Sequence, residues 1–387
     1  MAKCKIWIIL LIATSLLMAS FTGCSKVSEP EDWPMFRHDT GRTGYSKECV
    51  KPPLELLWTF ETDDCVDSSP AVIDGMVYIG SWDNHVYALD ANSGELKWKF
   101  KTGYGVFSSP AVAGGVVYVG SQDGFFYALD AKSGELKWKF EIGGIENIYS
   151  SPAVAGGIVY IGSRDSCLYA LDTNTGELRW KSGVGGGDSS PAIVNGIIYV
   201  GAFVLDAKTG ELRWKFEAGY GAFSSPAVAD GFVYVGCNDN YIYALDATTG
   251  EAKWKFRTND RINSSPAVAN GIVYVGSQDS YIYSLNAMTG ELEWKFETDG
   301  PITSSPAVSG EIVYLGCDNG YLYALDADSG EMLWHFEIGG YIFSSPAIAD
   351  GKVFVGAYNG NVYCFSAPTG EPPMKHAATP GLGSEEP

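Results

Sequence analysis

The chain has 387 residues, of which 46% are apolar and 13% aromatic, and its formal net charge is −20 at pH 7. That balance disfavours nucleic acid and anionic membrane surfaces as partners, since both would repel it. The supply of Gly, Tyr and Trp, with short Val/Ile/Tyr runs between Gly, Asp and Ser clusters, predicts many short strands and hardly any helix.

The first element in the chain is a leader. Lys3 and Lys5 precede an apolar run from Ile6 to Ala19, and Ser20-Phe21-Thr22-Gly23-Cys24 comes next. A basic start, an apolar core of this length and small residues at its end read as a signal peptide, too short to span a bilayer comfortably. Its end resembles a lipobox, in which Gly23 precedes the cleaved bond and Cys24 carries the lipid; Phe21 stands where Leu is usual. The plainer alternative is an ordinary secretory leader with an incidental cysteine. Removal of residues 1–23 takes away Lys3 and Lys5 and no acids, so the mature charge moves from −20 to −22. Residues 24–53 then read as a tether and leading segment that lies against the domain downstream.

From residue 54 onward the chain repeats. Ser-Ser-Pro occurs eight times, with its proline at 70, 110, 152, 191, 226, 266, 306 and 346, so the spacings are 40, 42, 39, 35, 40, 40 and 40. A period near 40 that holds four strand-like runs is the signature of a propeller blade. In the sample unit 264–298, Ser-Ser-Pro-Ala-Val-Ala is read as strand one, Ile272–Ser277 as strand two, Tyr281–Asn286 as strand three and Leu292–Phe296 as strand four. Asn270-Gly271 and Thr289-Gly290 supply the positive φ that tight hairpins need. Small residues suit the crowded hub, and the Trp and Phe of strand four suit the widening wedge at the rim. Proline is tolerated on an innermost strand, whose free edge loses no ladder bond. Lys97, Lys99, Lys137, Lys139, Arg213, Lys215, Lys253 and Lys255 flank the outer tryptophans and discourage edge-to-edge pairing.

Strand-four tryptophans number seven after the first Ser-Ser-Pro, from Trp98 to Trp334, because the last unit runs into Pro372-Pro373. The missing strand stands at the other end: Leu56-Leu57-Trp58-Thr59-Phe60 matches the outer strands and is expected to complete the last blade. The reading is therefore an all-β, eight-bladed β-propeller over residues 54–371, with a flexible tail at 372–387.

The unit Ala-Leu-Asp-Ala-x-x-Gly-Glu-Leu-x-Trp resembles the tryptophan-docking repeat of pyrroloquinoline quinone (PQQ)-type propellers. The resemblance covers roughly residues 54–371, and it is specific for the fold rather than for an activity. That repeat builds both quinoprotein dehydrogenases and the non-enzymatic BamB-type outer-membrane assembly lipoproteins. Residues Asp32 to Ser46 are similar to the segment that precedes the ring in many of these proteins.

In such a ring the residues just before Ser-Ser-Pro and the turns between strands two and three share one face, around the channel mouth. They are also where the units differ most. Trp82, Phe107, Tyr149, Arg164, Asp188, Phe223, Arg261, Asn263, Phe343 and Tyr358 are the candidate binding face. Asp67 and Thr303 fall at the same kind of position. The recurring turn aspartates Asp83, Asp123, Asp165, Asp239 and Asp279 read instead as acceptors for their own turn backbone. The fourth unit is short: Tyr199 to Asp206 is 7 positions against 12 from Tyr160 to Asp172, which predicts a notch in that face. His38, His85, His335 and His376 show no triad or metal spacing. Cys49, Cys65, Cys167, Cys237, Cys317 and Cys364 show no CxxC and no adjacent pair; export leaves room for one or two bridges, in no assignable pairing.

Two functions of different classes are implied. The BamB-type resemblance implies a non-enzymatic, lipid-anchored, monomeric ring that binds other envelope or membrane proteins, facing the periplasm or cell exterior, with no cofactor. The quinoprotein resemblance implies a dehydrogenase with PQQ and Ca²⁺ in the channel, which ordinarily brings adjacent cysteines, Glu and Asn metal ligands and a catalytic Asp. The absence of adjacent cysteines and the near-uniform units favour the first. A cell-surface propeller that binds carbohydrate or peptide is a third reading.

Overall fold

The computed structural model describes residues 31–143, 148–217 and 224–368. The expected leader, Cys24, Phe223 and the tail at 372–387 lie outside the described residues. Among the described residues every regular element is a strand. They form eight four-stranded antiparallel sheets, one of which gains a fifth strand of two residues. The chain is the eight-bladed β-propeller that its repeats predict.

Blade 1 illustrates the unit: Ala71–Ile73, Met76–Gly80, His85–Asp90 and Leu96–Lys101, paired in that order from hub to rim. Asp74 and Gly75, at φ 52° and 71°, make the two-residue hairpin between its first strands. In the last blade, Glu55–Glu61 pairs antiparallel with Asn361–Ser366, from Glu55 opposite Ser366 to Glu61 opposite Asn361. The first complete strand of the ring thus closes its last blade, as the tryptophan tally requires.

Adjacent blades are joined through the tryptophans. Trp58, Trp98 and Trp138 donate their indole N–H to the carbonyls of Ala91, Ala131 and Thr173 in the next blade, at 3.1, 2.9 and 3.0 Å. Each ring lies over the glycine of that blade's outer turn. A Cβ on Gly94, which sits at φ 71°, would approach the Trp58 ring to 2.7 Å, so the turn glycine is required by conformation and by space together. This is why Gly-Glu-Leu-x-Trp recurs as a unit: the glycine receives one blade's tryptophan while its own blade supplies the next.

The hub differs from the expectation. Ser-Ser-Pro is not part of the inner strand, which spans only Ala267–Ala269 in the sample unit; it arches ahead of the strand along the channel wall. There the serines have bonding roles beyond small size. The Oγ of the first serine accepts the backbone N–H of the glycine 12 residues on, as Ser68 does from Gly80 at 3.1 Å. The backbone N–H of the second donates to the Oγ of its counterpart in the next blade. These contacts run Ser69, Ser109, Ser151, Ser190, Ser225, Ser265, Ser305, Ser345 and return to Ser69, at 2.8 to 3.1 Å. A closed cycle of buried bonds fixes the channel radius.

The leading segment does more than lie against the ring: it closes one end of the channel. The backbone N–H groups of Val72, Val112, Ile193, Val228, Val268 and Val308, on the free edges of inner strands, donate to the carbonyls of Trp33, Pro34, Thr40, Gly41, Thr43 and Gly44. Tyr45–Ser46 adds the short fifth strand, parallel to Val308–Ser309. Arg37 and Arg42 are buried. Arg37 donates to the carbonyls of Pro266 and Pro306, and Arg42 to those of Pro191, Ser151 and Pro152. Burial lowers both guanidinium groups to about 9, a cost offset by these carbonyl acceptors.

In the short fourth blade, Ile197–Val200 and Phe203–Asp206 are joined by Gly201 and Ala202 alone. The preceding outer strand, Leu178–Gly185, is lengthened to eight residues, and Val184 packs against the core that holds Val200 and Leu205. The predicted notch is therefore partly filled from the neighbouring blade. Cys49, Cys65, Cys167, Cys237, Cys317 and Cys364 form no disulfide.

Candidate functional site

With one end closed, the channel opens as a bowl at the other. Its cavity, about 260 Å³, has Phe36 of the leading segment at its floor and the eight second serines as its wall. Above them stand Asp67, Phe107, Tyr149, Asp188, Asn263, Thr303 and Phe343, the residues just before each Ser-Ser-Pro. The predicted face is one surface, and the structure divides it into two arcs.

One arc is aromatic. Ring centroids step from Tyr341 to Phe343 at 5.7 Å, Phe343 to Tyr358 at 5.2 Å, Tyr358 to Trp82 at 5.2 Å, Trp82 to Phe107 at 4.4 Å and Phe107 to Tyr149 at 5.1 Å. Arg164 ends it: its guanidinium lies 3.6 Å from the Tyr149 ring centroid and donates to both carboxylate oxygens of Asp188, at 2.6 and 2.8 Å. The second arc is polar. Gln278 Nε2 donates to Thr303 Oγ1 at 3.0 Å, and Thr303 Oγ1 donates to Asp318 Oδ2 at 2.9 Å. Arg261 is exposed and lies beside Asp188, Asn238 and Asn263.

Two carboxyl groups at the bowl are perturbed. Burial pushes Asp67 up to about 7, against the indole N–H of Trp82, which donates to its Oδ2 at 3.2 Å. Burial also pushes Asp318 up to about 6, opposed by its bonds from Thr303. Asp67 Oδ1, Asp318 Oδ1 and Asn238 Oδ1 are buried with no hydrogen-bond partner among the described residues.

Of the ten predicted face residues, nine are described and all nine lie at this mouth. Tyr341, Asp318 and the floor residue Phe36 were not singled out in the sequence, and Asp67 was noted only for its position. The signal for Asp67 and Asp318 was available, since each is an acid in a column that varies from blade to blade, Asp67 sharing its column with Asp188. Phe36 belongs to a segment that occurs once and so carries no periodic signal. The turn aspartates behave as expected and gain a second partner: Asp83 accepts from the backbone of His85 at 3.0 Å and from the Tyr87 hydroxyl at 2.6 Å, and Asp279 repeats the arrangement.

Fold and hub together define the class: the chain is a PQQ-like repeat β-propeller. The family described as Outer membrane protein assembly factor BamB matches residues 50–201, and the family described as Beta-alanine-activating enzyme, beta-propeller, matches residues 188–379. No curated protein matches significantly in sequence. Among solved structures, BamB from Moraxella catarrhalis is similar at 18% identity and TM-score 0.70, over 81% of this chain and 100% of that one. A europium-containing methanol dehydrogenase is similar at 16% identity and TM-score 0.76, over 88% and 99%. The quinohemoprotein alcohol dehydrogenase from Comamonas testosteroni is similar at 18% and 0.77, over 93% and 84%. Identities this low establish the shared fold alone.

The dehydrogenase likeness raises the question of PQQ with calcium, and the bowl can be tested for it by its donors. PQQ is a tricarboxylate, so its site needs spare cations, and its calcium needs several clustered oxygen ligands. Arg164 is already committed to Asp188, Arg37 and Arg42 are turned into the closed end, and exposed Arg261 at the polar arc is a single cation against three carboxylates. No cluster of three or more His, Cys, Asp or Glu side chains suited to a metal occurs among the described residues. The donor set does not fit this pair.

Proposed function

We propose that the chain is a non-enzymatic binding propeller, held at the outer side of a membrane by a lipid on Cys24, that docks other envelope proteins on the aromatic arc of its mouth. The observation that carries this reading is the arc itself: Tyr341, Phe343, Tyr358, Trp82, Phe107 and Tyr149 in unbroken ring-to-ring contact on a rigid scaffold. Aromatic residues give most binding energy per side chain where they are already ordered, because little rotamer freedom is left to lose. Closure of the far end makes the bowl a surface for docking rather than a passage. The similarity to BamB, described as an outer membrane protein assembly factor, points to the same class of partner.

Capture from detergent-solubilised envelope with the lipidated chain as bait tests it. The wild type is expected to retain one or a few defined proteins, and Trp82→Ala to reduce their recovery at least tenfold while the ring stays folded. Stoichiometric uptake of PQQ and Ca²⁺ with dye-linked alcohol oxidation would overturn the reading in favour of a dehydrogenase.

A further inference from the structure

Within the aromatic arc one position is built unlike its neighbours. Asp67 sits behind Trp82 at the cavity wall, with one carboxylate oxygen held by the indole N–H and the other buried without a partner among the described residues. A buried acceptor left unmatched costs free energy, more so on a carboxylate, and any donor that reaches it recovers that cost. Trp82, which holds the other oxygen, packs against the rings of Phe107 and Tyr358, at centroid distances of 4.4 and 5.2 Å. Faces of aromatic rings attract cations, and Trp most strongly.

The same mouth shows what such a set of groups holds. Two blades along, the ring of Tyr149 and the carboxylate of Asp188 flank one guanidinium, that of Arg164, which stacks on the ring and donates twice to the acid. Ring, acid and cation thus form one internal constellation. Around Asp67 the chain supplies the rings and the acid. The net charge of −20 favours approach of a cation from solution.

We infer that the Asp67 site receives a basic side chain, a lysine or arginine of the docked protein, with the charged head on the free oxygen of Asp67 and the aliphatic stem across Trp82, Phe107 and Tyr358. This rests on the docking reading above and names what that surface selects. A neutral chain or a sugar could stack on the rings, but it would leave the acid without a charged partner.

The indole N–H of Trp82 reports on the site directly, and Trp82→Phe assigns its NMR signal in the purified, ¹⁵N-labelled chain. Three capped tripeptides serve as probes: Gly-Lys-Gly, Gly-Arg-Gly and Gly-norleucine-Gly, with maltopentaose as a fourth. The lysine and arginine peptides are expected to shift the Trp82 signal saturably, at least tenfold more tightly than the norleucine peptide. Asp67→Asn is expected to abolish that preference, and Asp318→Asn to leave it intact. Equal response to norleucine, a preference that survives Asp67→Asn, or saturation by maltopentaose alone would each overturn the proposal. Envelope capture separates its failure from that of the docking reading. If Trp82→Ala loses the partner and Asp67→Asn keeps it, docking stands and the basic side chain does not; if both variants keep it, docking at this arc fails as well.

Discussion

A single carboxyl carries most of the chemistry at the mouth. Asp67 titrates near 7 rather than near 3.8 because its environment disfavours the charged form, so the folded state holds its proton more tightly than the unfolded chain does. Stability from this group is complete below about pH 4 and is lost as the pH rises through 7. Its titratable neighbours are Asp64, Cys65 and Tyr358; burial pushes the Cys65 thiol up to about 11 and raises the Tyr358 phenol, so both stay neutral in that window. Asp67→Asn, which cannot ionise, is therefore expected to match the wild type in melting temperature at pH 4 and to exceed it by a few degrees at pH 8. Thermal melts across that range check it; a constant difference would show that the burial of Asp67 has no thermodynamic weight. The columns of variable residues made this mouth legible in the sequence, since a repeat turns every departure into a visible exception. Nothing in the residue order, however, states that one oxygen of Asp67 goes unmatched, because that depends on how the neighbouring rings pack.

Two elements close the structure, and they differ in how far the sequence announced them. The outer strand Glu55–Glu61 was legible because it copies a motif present seven more times. Trp58 on this strand is buried, at 4% exposure, against the last and first blades. Trp58→Ala is expected to cost about 3–5 kcal/mol, the range for deleting a large buried aromatic, and denaturant unfolding measures it. A loss below about 1 kcal/mol would mean that the ring does not depend on this lock. The leading segment was not legible in the same way. Its carbonyls and Arg37 and Arg42 meet inner strands from several blades, and a segment that occurs once offers no period from which to infer those partners. The placement of Ser-Ser-Pro was misread for a related reason: small, turn-prone residues beside an apolar run look like its continuation until the bonds between blades are seen.

At the scale of the whole molecule, the acidic surface and the proposed lipid act against each other. Without residues 1–23 the chain would stand at −22 and be repelled by anionic headgroups, so contact with a membrane would rest on acylation rather than on charge. Cys24→Ser is expected to move the protein from the membrane pellet to the soluble fraction with its fold unchanged; continued sedimentation with membranes would refute the lipid. No helix among the described residues is long and apolar enough to cross a bilayer. The leading segment binds the hairpin-turn end of the hub, through Asp32 to the backbone of Asp74 and Glu48 to that of Asp350 and Gly351, so a tether at its start would leave the bowl facing away from the lipid. The borrowed strand has a consequence in time as well. Glu55–Glu61 is synthesised before all eight Ser-Ser-Pro units, yet its partner Asn361–Ser366 is made after all of them. A contact between residues some 300 positions apart defers closure until the eighth blade has been made. A product truncated before the last hairpin of the eighth blade keeps Glu55–Glu61 without its partner, so an unfinished ring is marked at its own starting strand.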